Sequence, residues 1–270
     1  MKKALNDLYK YRFLLREIVR KNIKLQYRNS VLGVLWTFLQ PLLTTIVLVI
    51  VFGNLLGKDS SSVLNYPIYL LCGRLLYEFF SQSTKRAMRS INNSASVIKK
   101  VYVPKYIYPM ANVISNFITF LISLLVLVIF VVWFTLFSEN KPNITPYVFL
   151  AVVPILILLI LSMGVGLILS TLSVFFRDVE YLYDVFCMLL FYMTPIVYNI
   201  KQLKITNTVI LRGLMANPLY SIVNMFRDCV LFGQMLNINH LLYSLAFSLV
   251  TLFVGIILFH RKQDKFILHI

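Results

Sequence analysis

The chain has 270 residues, 59% of them hydrophobic and 13% charged, with a formal net charge of +16. A soluble domain carries about 25% charged residues and fewer than half apolar ones, so this composition excludes a water-solvated globular protein and points to a chain surrounded by lipid. The positive excess invites a nucleic-acid reading, but its placement argues otherwise. Nine Lys or Arg precede residue 31, six lie in 81–105, one is Arg177 and three follow residue 260, so the charges gather at the ends of apolar runs, where they set orientation in a membrane.

Residues 1–30 predict an amphipathic interface helix. At about 100° per residue, Leu8, Tyr11, Leu14, Leu15, Ile18, Val19 and Leu25 share one face, opposite Arg12, Arg16, Arg20, Lys21, Lys24 and Arg28,. No short apolar core follows the first charges, which argues against a signal peptide. Such a helix lies in the headgroup layer with its cations toward anionic lipid. It serves as a lipid anchor, or also as a platform for a cytoplasmic partner.

Residues 31–260 predict a domain of six spans, since runs of about 20 apolar residues match a hydrocarbon thickness of about 30 Å. The first covers 31–56 and is kinked at Pro41, where proline removes a backbone hydrogen bond. The turn GKDSSS at 57–62 leads to a second span at 63–84, and the charged stretch 85–105 follows on the inner side. Within it, the compact basic segment of NSASVIKKVYVPKYIYP (93–109) is stopped by proline. It is a topology signal by charge alone, and a handle if a cytoplasmic partner grips it. A third span at 106–137 is longer than a bilayer requires. The loop SENKPN precedes a fourth at 147–174, in which Gly164 and Gly166 permit close helix approach.

A tight inner turn, FFRDVEYLYD at 175–184, feeds a fifth span at 182–200 with Pro195 near its outer end. Asp178, Glu180 and Asp184 do not all share a helical face, which disfavours a metal or acid–base site. Residues 201–240 are too apolar for a solvated loop, yet their runs are too short to cross. They predict an external re-entrant element, with Asn217 as N-cap, Pro218 at the first helical position and Gly233 as the stop. The alternative is a surface amphipathic helix. A sixth span at 241–260 leaves 261–270 as a cytoplasmic tail, so both termini lie inside. Arg74 and Glu78, at i and i+4, are the charged pair deep in a span. Intramembrane ionisable groups face a protein interior or a watery path, so the pair marks a translocation route or neutralises itself between helices. The sequence carries no phosphate-binding loop, HExxH, GxSxG or clustered histidine, and its three cysteines lack metal spacing. No catalytic or metal-ligating residue is expected.

Several segments, taken in order, resemble the membrane subunits of bacterial polysaccharide ABC exporters, the type-2 ABC permeases that move O-antigen, capsule and teichoic-acid polymers. YRNSVLGVLWTFLQPL (27–42), with Arg28, Leu32, Gly33, Trp36 and Pro41, resembles the family's approach to its first span. NSASVIKKVYVPKYIYP is similar to its first cytoplasmic loop. FFRDVEYLYDVFCMLLFYMTPIVY (175–198) resembles its fifth-span motif, and NPLYSIVNMFRDCVLFG (217–233) its external gate helix. Arg74 with Glu78 departs from the family, which commonly carries less charge there.

The resemblance implies an all-α integral membrane homodimer in the bacterial cytoplasmic membrane. It would bind two separate ATPase subunits, which hold ATP and Mg, and export a lipid-linked glycan polymer without a cofactor of its own. It implies coupling through Val97, Ile98, Lys99, Lys100, Val101, Tyr102 and Pro104, with a smaller contact at Arg177 and Asp178. Trp36, Phe38, Tyr192 and Tyr198 become candidate aromatic lining. Arg74, Glu78, Pro195, Asn217, Pro218 and Arg227 become candidates for channel or gate. External segments with six basic and three acidic residues mildly favour an acidic polymer. Competing expectations are a permease for drugs or small lipids, an integral-membrane glycosyl or acyl transferase, and a structural or signalling membrane protein.

Overall fold

The computed structural model describes residues 10–28, 30–51, 65–101, 103–137, 142–198 and 213–269. Among these residues the chain is helical and forms no strand. In order the helices are α1 (Arg12–Tyr27), α2 (Leu35–Val49), α3 (Tyr66–Asn93), α4 (Ala95–Ile98), α5 (Ile107–Phe137), α6 (Val152–Phe175), α7 (Val179–Met193), α8 (Pro218–Arg227) and α9 (Ile238–Lys262). Short 3₁₀ segments precede α6 (Pro146–Ala151) and follow α9 (Gln263–Leu268).

Among the described residues, three stretches are long and apolar enough to cross a membrane: Ile107–Phe137, Pro146–Phe175 and Ile238–Leu268. They match the third, fourth and sixth expected spans. The others differ instructively. Residues 31–34 form a turn, with Gly33 at φ +50°, so α2 begins at Leu35. Helix α3 does not stop at residue 84 but runs unbroken to Asn93, carrying the first part of the expected inner loop as helix. Helix α7 starts early and ends at Met193, because Thr194, directly before Pro195, is extended (φ −93°, ψ 124°), as the clash with a proline ring requires. At 15 residues and about 1.5 Å per residue, α7 alone is shorter than a bilayer core.

Helices α3, α5, α6 and α9 build the centre. Gly164 and Gly255 set the α6–α9 contact: a Cβ on Gly164 would fall 2.5 Å from the Leu252 nitrogen, and one on Gly255 would fall 2.6 Å from the Gly164 oxygen. Gly166 lies against Ala87 of α3 in the same manner. In lipid such close approach replaces the hydrophobic drive that water supplies elsewhere. Polar side chains stitch the same helices: Asn116 donates to the Ser83 hydroxyl at 2.8 Å, and Ser173 donates to the Met88 carbonyl at 2.6 Å. Pro41 cannot donate to the Thr37 carbonyl four residues earlier; the Ser123 hydroxyl of α5 donates there instead, at 3.2 Å. A neighbouring hydroxyl thereby satisfies the backbone group that proline frees.

Candidate functional site

Three places hold the sequence-selected residues. The first is a cleft of about 260 Å³ between the end of α1 and helices α2, α3 and α5. Trp36 and Glu78, both expected near a path, line it, beside Thr37, Gln40, Gln82, Asn116, Thr119 and Ser123. None of these described lining residues is basic. Amides, hydroxyls and the Glu78 carboxylate line it, and several of them already bond within the chain, as Asn116 and Ser123 do, so the cleft suits a polar occupant that carries no negative charge, or water,. Periodicity carried this signal: Glu78 and Gln82 are four apart on α3, while Asn116, Thr119 and Ser123 recur at i, i+3 and i+7 on α5. Glu78 holds Arg74 at 3.6 Å, and Arg74 lines a neighbouring, more apolar groove with Leu43, Tyr77 and Phe191. Phe38 packs against the main apolar core. Tyr192 stands exposed on α7, and the Tyr198 hydroxyl donates to its carbonyl at 2.6 Å.

The second place is the basic pole. Helix α4 is one turn, continued by the bond from the Val101 amide to the Val97 carbonyl at 3.0 Å. Val97, Lys99, Lys100 and Val101 are exposed, whereas Ile98 is only 7% exposed and turns inward. It joins Ile91, Tyr108, Leu167, Val174, Phe259 and Phe266 in a second apolar cluster. Pro104 is half-buried, and Tyr102 lies outside the described residues. The residues after 260 are no plain tail, since Phe266 is fully buried. The Lys105 ammonium donates to the Gln263 carbonyl, and burial pushes its pKa below the usual lysine value.

Arg177 and Asp178 are exposed on the adjacent turn. Beyond it, α7 meets α3 through two charged rungs: Asp184 with Lys85 at 2.7 Å, and Glu180 with Arg89 at 3.0 Å. Both pairs of partners are four apart along their helices, a match that considering Asp178, Glu180 and Asp184 as one set concealed. Next to the Lys85–Asp184 rung in both helices, the Tyr183 hydroxyl donates to Thr84 at 2.7 Å. Because these charges are part-exposed, reversing Glu180 and Asp184 to Lys is expected to cost only about 1 kcal/mol. Melting curves of the purified protein should show the loss fading as salt rises.

Along α1, Arg12, Arg16, Arg20, Lys24 and Arg28 form an exposed line. Val19 is buried and Ile18 packs on the second cluster. Leu25, expected on the apolar face, is 51% exposed, because the contact with α5 is made instead through Asn22, which donates to Asn112 at 3.4 Å. Gln26 accepts from Arg86 of α3 at 2.8 Å.

The third place is the opposite pole. Helix α8 begins as its sequence predicts: the Asn217 side chain accepts from the Leu219 amide at 3.0 Å, with Pro218 first in the helix. A π-turn at Asp228–Phe232 ends at Gly233 in the left-handed region (φ 60°). Residues 199–212, the first part of that expected element, lie outside the described residues. Arg227 is not on an open outer surface. It is 1% exposed, donating to the carbonyls of Tyr69 (3.0 Å), Pro195 (2.7 Å) and Ile196 (3.1 Å), with its guanidinium carbon 3.5 Å from the Tyr69 ring centroid. Asn217 also donates to the Thr194 hydroxyl at 3.0 Å, and the Tyr66 and Tyr69 hydroxyls donate to the Val197 and Tyr198 carbonyls. The broken end of α7, the start of α3 and α8 are thus tied in one knot.

The profile of the family described as "ABC-2 type transporter" matches residues 14–232. Among curated proteins, the chain is 29% identical over 255 residues to the O-antigen export system permease protein RfbA of Klebsiella pneumoniae, covering 94% of this chain and 93% of that one. It is 28% identical over 269 residues to the Myxococcus xanthus protein of the same description, covering 98% of both. Against the polysialic acid transport protein KpsM of Escherichia coli it is 24% identical over 247 residues, 90% of this chain and 91% of the relative.

Proposed function

The chain belongs to the ABC-2 type transporter family, and on that premise we propose that it is the permease subunit of an ATP-driven exporter carrying a lipid-linked polysaccharide across the bacterial cytoplasmic membrane. The observation that carries this reading is the cleft of amides and hydroxyls, with the Glu78 carboxylate, beside Trp36 and Phe120. A glycan cannot shed its water in hydrocarbon unless other hydrogen-bonding groups replace that water. Gln40, Gln82, Asn116 and Thr119 offer such groups, and an indole face packs against the C–H side of a sugar ring.

ATP and Mg are bound by a separate ATPase subunit. In this reading the chain crosses the membrane six times with both termini inside. The turn at Ala95–Lys105 and the smaller contact at Arg177–Asp178 face that motor, the α1 cations lie along the inner headgroups, and α8 forms part of the outer gate. Two copies pair, with two ATPases beneath them. The exposed apolar faces of α2 (Leu43, Val47) and α7 (Leu182, Val185, Leu189) are the natural surfaces for pairing.

Disrupting the gene is expected to leave completed lipid-linked polymer inside the cell, with surface polymer restored by the intact chain. Replacing Gln40 and Gln82 together by leucine removes two amides worth about 1 kcal/mol each. Surface polymer should then fall roughly tenfold while membrane abundance holds. If disruption leaves surface polymer at normal levels and alters accumulation of a drug or small lipid, the alternative cargo replaces the glycan.

A further inference from the structure

The C-terminal residues follow an apolar helix and carry Lys262 and Lys265, which composition alone assigns to an inner tail. Their position in the fold is more specific. The Phe266 ring meets Phe259 edge-on at 5.2 Å between centroids and Phe175 at 5.9 Å. It shares one buried cluster with Ile98, the inward residue of the basic turn. Lys105, at the far end of that turn, donates to the Gln263 carbonyl and places its ammonium 5.8 Å from the Phe266 ring centroid. Phe175 ends α6, two residues before Arg177. One aromatic side chain therefore underlies both segments that the proposed function turns toward the motor.

We propose that Gln263–Leu268 is a plinth for energy coupling and that Phe266 is its positioning residue. The inference rests on the assignment of residues 95–105 as the coupling turn. Val97 and Val101 face outward while Ile98, between them, faces in, so a push on the outer side chains is delivered through Ile98 to whatever lies beneath. Close-packed interiors transmit displacement, and a void absorbs it. Phe266 belongs to the buried cluster that Ile98 joins. The plinth continues α9, which meets α6 at the Gly164–Gly255 contact, so a displacement of the turn has a stiff route into two membrane-crossing helices.

The test uses the whole permease–ATPase complex in lipid nanodiscs for ATP hydrolysis and assembly, and whole cells for surface polymer per membrane-bound permease. Variants are Phe266→Ala, Phe266→Leu, Lys105→Met and Leu268→Ala, beside the double variant Val97→Asp, Val101→Asp. For Phe266→Ala, surface polymer relative to hydrolysis is expected to fall roughly tenfold, with assembly and hydrolysis kept, because the void breaks the load path. Phe266→Leu should regain most of it. Lys105→Met, which cuts the tie to Gln263 without opening the cluster, should show a smaller loss of the same kind, and Leu268→Ala, at an 82% exposed side chain, none.

Unchanged export in Phe266→Ala overturns the inference, as does a fall in abundance, hydrolysis and export in equal proportion. If Phe266→Ala fails to assemble, normal coupling in Lys105→Met overturns it. If the Val97/Val101 variant uncouples and the plinth variants do not, only the plinth is lost. If that double variant also exports normally, the coupling turn itself has been misassigned.

Discussion

Arg227→Met is expected to leave little stable permease in the membrane. The methionine keeps much of the side-chain volume, so the loss reports the missing hydrogen bonds rather than a cavity. The carbonyls of Pro195 and Ile196 lose their guanidinium donor, and the Tyr69 carbonyl, inside α3, loses the second of two donors. Each buried acceptor so stranded costs about 1–3 kcal/mol, against a net stability of about 5–15 kcal/mol for a typical domain. Lysine should not rescue, because a compact ammonium cannot reproduce the planar fork that reaches three acceptors. Gly73→Ala should give a milder version, since its Cβ would fall 2.5 Å from the Arg227 Nη2 atom. Heating the purified variants before size exclusion measures the folded fraction. A methionine variant as resistant as the parent would show that the knot is dispensable.

The second large effect is expected at the basic turn. Val97→Asp with Val101→Asp should abolish export while the permease inserts and folds normally, because both side chains are exposed, at 43% and 54%, and support nothing within the chain's own core. An apolar anchor at the centre of an interface is worth about 2 kcal/mol or more, so the pair should weaken ATPase capture by roughly a thousandfold. Co-purification of the two subunits reads this directly. Ile98→Asp is expected to behave differently. It would place a charge in the second cluster, where burial without a partner is strongly unfavourable, and the protein itself should be lost. Capture of the ATPase at parental levels by the double valine variant would remove the turn from the mechanism.

The parts of this fold that were legible in the sequence are those whose cause is local. Asn217, Pro218 and Gly233 mark the bounds of α8 and its π-turn because capping, a fixed φ and a left-handed stop need only neighbours along the chain. Pro195 stood inside the expected span at 182–200, yet α7 ends at Met193, because the residue before a proline leaves the helical region,. Gly164 announced a close approach without naming Gly255 as its counterpart. What stayed hidden depends on distant partners. Arg227 counted as an external cation, since nothing near it in sequence reveals that carbonyls 158 and 32 residues away converge on it. Ile98 looked like its neighbours Val97 and Val101 because a single helical turn is too short for periodicity to separate inside from outside. The cleft was partly written in the spacing of Gln82, Asn116, Thr119 and Ser123, polar residues that an apolar run makes easy to overlook.

Helix α3 is one uninterrupted rod of 28 residues, about 42 Å at 1.5 Å per residue. Tyr69 near one tip is fastened to Arg227, and Arg89 near the other to Glu180. In its middle third Phe79 and Ser83 accept from Asn116, so a load at either tip is carried along the rod and not taken up by a hinge within it.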